Sequence, residues 1–541
     1  MSSKKSLSFY TEVEKFYFSP ILNIGYGAHN GDYLNLYVFL GKSIEFGENI
    51  EPPDLHLSPS GIKTILKNMI VLKKANLNDI SAVVERVDWN EGSFYYAYHQ
   101  NIDFSVKGLD GKLTKQFYVK NKYDQVFKCL WNNNTSANTY PIGLIANNST
   151  YYTIHHDGGT FDVGSLITID TAYNEEINGT YKVVDSSVGQ LDVICAENES
   201  YCMSVLDPYY STGARIKYAT LTTQEPVLGT GNFDKDVIIK TLDGYTWKYL
   251  YTIDKGYKLK FTDQHWMPVP IKNITKYPYS ANVGWGSIDI VSVVSGGQSY
   301  TNGTNTVSIV INGDGSGASA EAYVSNNEIQ SISILDKGYD YTYANVSVIP
   351  ATGYYGSGAE LSFSISPIGG HKFDLLQELY CKDLIISVPF DRTEYGKLPA
   401  DFSFNQVGVI YNPYLVDEVE NHSNSSFISC STGMVMSSLG NPFVGGEVVY
   451  QGSSIQNKNF SATVLSFDSA NNYLYLINTS GTPRESYELN GQTSGAVKTI
   501  QQINYPSFVP NSGVLFYVEN RVDVDRNELG SEQIRILINY S

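Results

Sequence analysis

Short runs in which apolar and polar residues alternate dominate the chain, and Gly, Asn, Asp and Ser separate one run from the next. In the last run, Ile534, Ile536 and Ile538 occupy every second position, and residues 36–40 form an early apolar run. A period of two is the side-chain repeat of a β-strand, whereas an amphipathic helix repeats every 3.6 residues. The pattern therefore predicts a mainly β protein built from antiparallel sheets.

Helical periodicity is rare along the chain. The strongest example runs from Ser58 to Ala75, where Ser58 is a suitable N-cap, Pro59 fits the first helical position, and apolar residues follow one stripe. A second, shorter pattern covers residues 371–380. The sequence thus predicts only two or three short helices.

An internal repeat with a shift of 41 residues lies in the middle of the chain. Gly315–Ala318 recurs as Gly356–Ala359, and the same shift relates Tyr300 to Tyr341. Each copy has three short strand patterns separated by Gly-containing turns. We expect residues 281–370 to form a tandem β insert whose two copies pack on each other or on the rest of the protein.

Two further segments have the pattern of small β modules. Residues 163–196 include a predicted hairpin with its turn at 186–189. Residues 446–500 contain a succession of short strand patterns typical of a barrel-like module. Neither segment contains a strong helical pattern.

Composition and charge limit the classes of partner. The chain has 541 residues, and 37 Lys and Arg face 55 Asp and Glu, which gives a formal charge of −18 and argues against nucleic-acid binding. Its 43 Tyr and 46 Gly favour pleated surfaces and tight turns.

Five cysteines without CxxC spacing indicate neither a zinc site nor a disulfide framework. No apolar run is long enough for a signal peptide or for membrane insertion.

Candidate metal and phosphate sites fail on spacing. If residues 155–157 are extended, the adjacent histidines point to opposite faces, so an exposed polar turn is expected there. Asp523, Asp525 and Asn527 have the odd spacing of a calcium loop but lack its Gly and Glu, which favours a solvated turn. Glycines at 313–317 resemble a phosphate loop, but no helix follows them. We therefore predict no metal and no cofactor.

Candidate catalytic or sugar-binding residues are equally unspecific. No nucleophile elbow, Walker loop or HExxH motif is present. A carboxylate pair of the kind used in glycoside hydrolysis is not recognisable from sequence. Tyr95, Tyr96 and Tyr98 form a possible sugar-stacking platform, but alternation along a half-buried strand explains them as well. The sequence favours a protein that is not an enzyme.

Four stretches, taken in order, resemble one family. They read LNLYVFLGKSIEF with the following capped helix and VVERVDWNEGSFYYAY (36–98), LDGYTWKYLYTI (242–253), FNQVGVIYNP (404–413) and VLFYVENRVDVDRNELGSEQIRILI (514–538). This succession resembles the dimeric baseplate wedge subunits of T-even-like contractile-tailed phages, the eighth gene product of the baseplate.

The resemblance implies a β-sandwich body that is discontinuous in sequence. Its expected segments, with an inserted β module in each gap, are 1–143, 206–280, 371–425 and 501–541, and the inserts are 144–205, 281–370 and 426–500. It also implies a homodimer that contacts other baseplate wedge proteins within the virion tail baseplate, with no catalysis and no cofactor.

The motif positions have expected structural roles. Asp243 and Gly244 are expected to form the turn that begins a strand, and Tyr245, Trp247 and Tyr249 are expected to pack in a core.

The last motif is expected at the end of a strand. There Arg521 can make a bidentate ion pair, Asn520 can adopt a turn conformation, and Glu519 belongs to the same group. A structural tie is the simpler interpretation of this group, and a subunit contact is the functional alternative.

Two other functions stay open beside the wedge subunit. The first is a receptor-binding tail fibre or spike protein that binds host glycans, which the Tyr- and Gly-rich repeats would suit. The second is a glycan-degrading tail enzyme. A fibre usually trimerises through long repeats, which two copies of 41 residues do not supply. An enzyme requires two carboxylates roughly 5–10 Å apart in a cleft.

Overall fold

The computed structural model describes the residue ranges 3–5, 35–42, 58–107, 112–133, 140–147, 151–170, 179–195, 209–210, 215–229, 237–270, 286–367, 370–391, 398–399, 401–416, 425–526 and 531–539. It is mainly β, with 56% strand and 5% helix, and its sheets are antiparallel, which confirms the predicted fold class. The chain forms two compact units, unit 1 with residues 1–82 and 382–541 and unit 2 with residues 83–381. Each unit is described by itself below.

The strands are numbered in chain order. The first sixteen are β1 (Ser3–Lys5), β2 (Leu36–Gly41), β3 (Met69–Lys74), β4 (Ile80–Glu85), β5 (Tyr118–Lys120), β6 (Gln125–Asn132), β7 (Tyr140–Asn147), β8 (Tyr152–His156), β9 (Leu166–Asp170), β10 (Gly179–Ser187), β11 (Gln190–Cys195), β12 (Tyr209–Tyr210), β13 (Arg215–Tyr218), β14 (Ile238–Lys240), β15 (Tyr245–Thr252) and β16 (Trp266–Val269). The remaining strands are β17 (Ile288–Gln298), β18 (Gly303–Thr304), β19 (Val307–Gly313), β20 (Ser316–Ser325), β21 (Glu328–Tyr339), β22 (Ala344–Pro350), β23 (Ser357–Ile365), β24 (Asp383–Phe390), β25 (Phe402–Tyr411), β26 (Phe427–Ser429), β27 (Thr432–Met436), β28 (Val448–Gly452), β29 (Lys458–Asp468), β30 (Tyr473–Gly481), β31 (Glu488–Gly491), β32 (Val497–Asn504), β33 (Val514–Arg526) and β34 (Glu532–Asn539).

Three α-helices lie within the described ranges, namely α1 (Pro59–Lys67), α2 (Lys255–Phe261) and α3 (Leu375–Glu378). The first is shorter than predicted, because the chain leaves the helix at Asn68 and continues as β3 between β2 and β26. The apolar run from Met69 onwards fits a buried strand as well as a helical stripe. The second predicted helix, over residues 371–380, is reduced to the single turn of α3, since Lys372 and Tyr380 have positive φ angles.

A β-sandwich with a helix on its outer face forms the centre of unit 1. Six strands pair in the order β1-β33-β25-β2-β3-β26, and one face of this sheet shares a hydrophobic core with the β24–β34 pair. Val38 and Val409 enter this core from the sheet, and Ile386 and Ile536 enter it from the pair. On the other face, α1 packs on the sheet through the core that contains Ile65.

Unit 1 also contains a closed barrel of six strands in the order β27-β30-β29-β28-β31-β32. Apolar side chains, among them Met434, Val449 and Leu474, fill its interior. The barrel-like module predicted for residues 446–500 is therefore confirmed, although its first strand begins earlier, at Thr432.

Unit 2 contains two antiparallel sheets and the repeat. A four-stranded sheet has the order β14-β15-β6-β5, and a seven-stranded sheet has the order β12-β7-β13-β9-β10-β11-β8. In the second sheet, β10 and β11 form the hairpin that the sequence predicts, with its turn at Val188 and Gly189. This sheet has its own core, which includes Tyr152, Ile167 and Leu191.

The two copies of the repeat are intertwined. The β17–β23, β19–β22 and β20–β21 pairs each join a strand of the first copy to a strand of the second. The tyrosine of each copy also packs against the glycine corner of the other copy: a Cβ atom added to Gly315 or Gly356 would lie within 2.6 Å of the ring of Tyr341 or Tyr300, respectively. The copies therefore pack on each other, as the repeat predicted, and each of the two hydrophobic clusters of the repeat contains residues from both copies.

Candidate functional site: motif residues and a buried ion-pair network

The family-like turn of unit 2 is built around the carboxylate of Asp243. Its Oδ2 accepts hydrogen bonds from the Thr222 hydroxyl at 2.9 Å and from the Thr223 backbone N–H at 2.7 Å. Its Oδ1 accepts from the Thr241 hydroxyl at 2.5 Å and from the Tyr245 N–H at 3.2 Å. Partial burial would raise the pKa of Asp243, but these hydrogen bonds outweigh burial and lower it. The carboxylate thus stays ionised and closes the turn.

Gly244 completes this turn in a conformation that favours glycine. Its φ angle is +87°, and an added Cβ atom would lie 2.5 Å from the side-chain amide of Asn133. That amide donates a hydrogen bond to the Asp243 carbonyl oxygen at 3.0 Å. The predicted turn before β15 is therefore confirmed.

The aromatic residues after the turn are buried in a core, as predicted. The rings of Tyr245 and Trp247 stack with centroids 5.4 Å apart, and Tyr95 meets Trp247 edge-on at 5.7 Å. Tyr249 contacts the ring of Phe127 at 5.6 Å. All of these side chains are buried, so this part of the motif builds the sheet and presents no binding surface.

Tyr95, Tyr96 and Tyr98 do not lie on a strand, in contrast to the alternation that the sequence suggested. Their segment has no regular secondary structure, and the N–H of Tyr98 donates to the carbonyl of Cys129 in β6. Tyr95 and Tyr98 are both buried. The interpretation as a half-buried strand is therefore wrong, and the two buried rings belong to the core.

Glu519, Asn520 and Arg521 lie inside β33 of unit 1, so the predicted strand end and turn are wrong. The strand continues because its pairing with β25 persists beyond a bulge, up to Arg526. Glu519 and Arg521 form the expected bidentate ion pair, with N···O distances of 3.1 and 3.4 Å. Asn520 accepts a hydrogen bond from the side chain of Gln406 at 2.9 Å.

A set of mostly buried charged side chains lies in unit 2, and we call it the buried network. It consists of Lys128 on β6, Lys248 on β15, Asp289 on β17, Lys337 on β21, and His371 and Glu378 around α3. Lys128 and Glu378 form its centre: their Nζ and Oε1 atoms are 2.7 Å apart, and their side chains are 0% and 1% exposed.

His371 joins the two carboxylates of the buried network. Its Nδ1 is hydrogen-bonded to the Oε1 atom of Glu378, and its Nε2 lies 2.7 Å from the Oδ2 atom of Asp289, at an angle outside hydrogen-bond geometry. Asp289 also pairs with Lys337 at 3.1 Å. Burial opposes ionisation of both carboxylates, but the surrounding positive charges hold the pKa values of Asp289 and Glu378 well below their usual range.

For the two lysines of the four-stranded sheet, Lys128 and Lys248, burial outweighs the attraction of the nearby carboxylates and disfavours the charged form. Burial lowers the pKa of Lys128 despite the attraction of Glu378, and it lowers the pKa of Lys248 to about 8. The Lys128 ammonium also lies 3.6 Å from the centroid of the Tyr98 ring, a cation–π distance. The network therefore holds its charges through mutual pairing and contact with an aromatic ring.

The buried network joins the repeat to the four-stranded sheet. Asp289 and Lys337 belong to the repeat, Lys128 and Lys248 to the sheet, and His371 lies where the chain leaves the repeat. At the base of the repeat, the Ser366 N–H donates to the Ser287 carbonyl at 2.8 Å. Because the central ionic groups are almost fully buried, their arrangement suits a structural tie better than contact with a substrate.

Sequence reasoning missed this network, because its members are isolated charges within apolar runs such as QVFKCLW and IDIVSV. A lysine in the middle of an otherwise apolar strand pattern, as at Lys128, is the signal that could have been followed.

The remaining candidates occupy strands or tight corners. His156 is buried at the end of β8 and its pKa is lowered by burial, so the expected exposed turn is wrong for this residue. Asp523 and Asp525 are exposed within β33 and do not form the expected turn, while Asn527 lies outside the described residues. The glycines at 313–317 form the corner between β19 and β20 of the repeat.

Within the described ranges, no three His, Cys, Asp or Glu side chains are grouped so that they could hold a metal ion. In the same ranges, no helix has the length and apolar character needed to cross a membrane. No protein-family model and no curated protein sequence matches the chain.

Proposed function

We propose that the chain is a structural subunit of the baseplate wedge of a contractile phage tail, where it forms a homodimer and links neighbouring wedge proteins. The observation that carries this proposal is the ordered succession of four family-like stretches in the sequence. The best defined of them, residues 242–253, makes a half-exposed turn followed by a buried strand, which fits a scaffold role. The proposal includes no catalysis, no cofactor, and a location in the virion.

A receptor-binding or glycan-degrading tail spike is the second candidate, and one observation favours it. The repeat carries exposed tyrosines, among them Tyr343 and Tyr355, and such rings can stack on sugars. The buried carboxylates of Asp289 and Glu378 do not support a hydrolytic site, because both are paired with cations away from solvent.

Mass photometry of the purified chain separates these candidates. A wedge subunit is expected at twice the chain mass of 60.0 kDa, whereas a spike is expected as a trimer. A second measurement addresses catalysis: incubation with host capsule, lipopolysaccharide and peptidoglycan should release no sugar. A trimer, or sugar release abolished by one Asp or Glu substitution, would contradict the wedge proposal.

A further inference from the structure

The second sheet of unit 2 closes on itself. Its strand β7 pairs with β13 on one side and with β8 on the other, and the remaining pairs lead from β13 through β9, β10 and β11 back to β8. Six strands therefore form a barrel, whose core includes Ile154 and Leu191. We call it the first barrel (residues 140–218), and we call the closed barrel of unit 1 the second barrel (residues 432–504).

The two barrels have the same order of strands once the chain is shifted by one strand. Strands β27, β28, β29, β30, β31 and β32 of the second barrel then correspond to β8, β9, β10, β11, β13 and β7 of the first. Each pairing in the second barrel has its counterpart in the first, as β28–β31 has in β9–β13. The strand that begins the first barrel, β7, thus corresponds to β32, the strand that ends the second.

The correspondence extends to a glycine and a bulge in each barrel. Gly164 and Gly446 have φ angles of +85° and +83°, and their N–H groups donate to the carbonyls of Val183 and Val464, both at 2.8 Å. Each valine N–H donates back to the carbonyl of the residue after the glycine, at 2.9 Å in both barrels. A β-bulge then follows each valine. Bulges are retained within protein families, so this agreement in position is informative.

A second bulge lies at equivalent places next to His156 and Met436. The N–H groups of these two residues donate to the carbonyls of Gly189 and Asn472, at 3.1 and 2.8 Å. In each barrel the strand paired with this residue, β7 or β32, has a bulge directly beside it. The two barrels therefore share strand order, pairing register and both irregularities.

The interiors of the barrels agree as well. The equivalences set by the pairing register and by the glycine place core residues of the first barrel opposite core residues of the second. The pairs are Ile142 and Ile500, Ile154 and Met434, Phe161 and Phe443, Ile167 and Val449, Tyr181 and Ala462, Val183 and Val464, Leu191 and Leu474, Val193 and Leu476, and Ile216 and Leu489.

One difference between the barrels follows from the shift of the chain. Glu447 accepts hydrogen bonds from the N–H groups of Thr493 and Ser494 at 3.0 and 2.9 Å, and thereby holds the turn between β31 and β32. The equivalent strands of the first barrel, β13 and β7, are its last and first strands, so no turn joins them. The residue equivalent to Glu447 is Ser165, which has no carboxylate.

We propose that the two barrels are copies of one β module that is present twice in the chain, with the second copy circularly permuted relative to the first. The ends of each copy are neighbours, since Tyr140 is paired with Ile216 and Gly433 with Asn504. Neighbouring ends allow a module to be inserted or permuted without a change in its fold. The chain joins the first copy where β13 meets β7, and it joins the second where β27 meets β32. The inference does not rest on the proposed wedge function.

The first test places the second barrel into the site of the first, within the full chain and in two chain orders. The permuted graft replaces residues 140–218 with 498–504, the native link 147–151 and 432–491, and it carries Glu447→Ser because its turn is absent. The direct graft, which is the matched control, replaces the same residues with 432–504 in their natural order. We expect limited trypsin digestion to cut the direct graft about tenfold faster, because its ends do not match the site and it opens more often.

The second test needs no graft. A matched variant gives the first barrel three residues of the second at equivalent core positions, Ile154→Met, Val193→Leu and Ile216→Leu. A shifted control makes the same exchanges where the second barrel has other residues, Ile145→Met, Val183→Leu and Ile167→Leu, and all six positions are buried in one core. The control should lower the melting temperature about twice as much as the matched variant, because overpacking costs most where the backbone leaves no room.

Two outcomes would overturn the inference. A direct graft as resistant as the permuted graft would refute the permutation, and equal losses in the matched variant and the shifted control would refute the equivalence of positions. If trypsin degrades both grafts as fast as an unfolded chain, the core exchange decides alone. The dimer expected in mass photometry is a separate readout, so failure of the common module and failure of the wedge proposal are distinguishable.

Discussion

At the scale of single residues, the family-like motif is explained by the groups that it satisfies. Asp243 accepts hydrogen bonds from backbone and hydroxyl donors on both sides of its turn, and only an ionised carboxylate accepts them all. Asparagine at this position has the same size, but its N–H₂ group would face donors in place of one carboxylate oxygen, so the hydrogen bonds to that oxygen would be lost. The charge at residue 243 therefore contributes to stability in a way that depends on pH.

We predict that Asp243→Asn destabilises the protein at neutral pH by about 2 kcal/mol, the magnitude typical of hydrogen bonds to a charged group. Because the pKa of Asp243 is lowered in the folded state, its contribution is complete above the pKa of the unfolded chain and is lost as pH falls through the folded value. Urea unfolding at pH 7 and pH 3 should show a smaller difference between variant and native protein at pH 3. Thr153→Ser, in the other sheet, is a control for general acid sensitivity.

The glycine corners of the repeat give a second prediction at this scale. Gly315 has no positive φ angle, but a Cβ atom there would lie 2.5 Å from the Tyr341 ring and from the Tyr339 carbonyl oxygen. Gly315→Ala should cost about 1–3 kcal/mol through overpacking. Gly353→Ala is the matched control, because its φ is +88° with open space around it, so it reports backbone strain alone. A cost at Gly315 no larger than at Gly353 in thermal unfolding would contradict the packing account.

At the scale of elements, strands were predictable where alternation or turn chemistry was clear, as in the β10–β11 hairpin and the repeat. The pattern failed where a strand is buried on both faces, because β3 has the same apolar run that a helix would have. It also failed at residues 519–521, because pairing with β25, a strand distant in sequence, extends β33 beyond the predicted end. An unusual lysine at 128 was visible in the sequence, but its partners in the buried network could not be predicted, since they depend on long-range contacts between β6, β17 and the α3 region.

The buried network leads to a prediction about how stability depends on pH, and it concerns Lys248 on β15. Burial lowers the pKa of Lys248 from its usual 10.5 to about 8, so the unfolded chain holds more protons between these values and stability rises with pH there. At pH 7 the charged lysine costs about 3 kcal/mol relative to a neutral side chain. Lys248→Met should therefore stabilise the protein at pH 7, and the gain should shrink towards pH 10. Lys255→Met, on the exposed surface, is the control and should give no such trend; an equal trend would count against the burial account.

At the scale of the whole molecule, the repeat folds around its own hydrophobic clusters but also supplies two charged side chains to the buried network. Its strands pair among themselves, and its core residues form their own clusters. Yet Asp289 and Lys337 belong to the buried network, whose other positive groups include Lys128 and Lys248. Removing the repeat therefore takes away one of the two carboxylates that balance these buried lysines.

The final prediction concerns this removal and the proposed dimer. Residues 288–365 can be replaced by two glycines, because Ser287 and Ser366 are already hydrogen-bonded neighbours at the base of the repeat. If the repeat is an inserted module, the shortened chain should remain a dimer in mass photometry, but with lower stability, because a buried cation has lost its partner. Adding Lys248→Met to the deletion should restore part of that stability by removing one buried positive charge, whereas adding Lys255→Met should not. A shortened chain that is unfolded even with Lys248→Met would refute the modular organisation, and a folded monomer would instead place the dimer contact on the repeat.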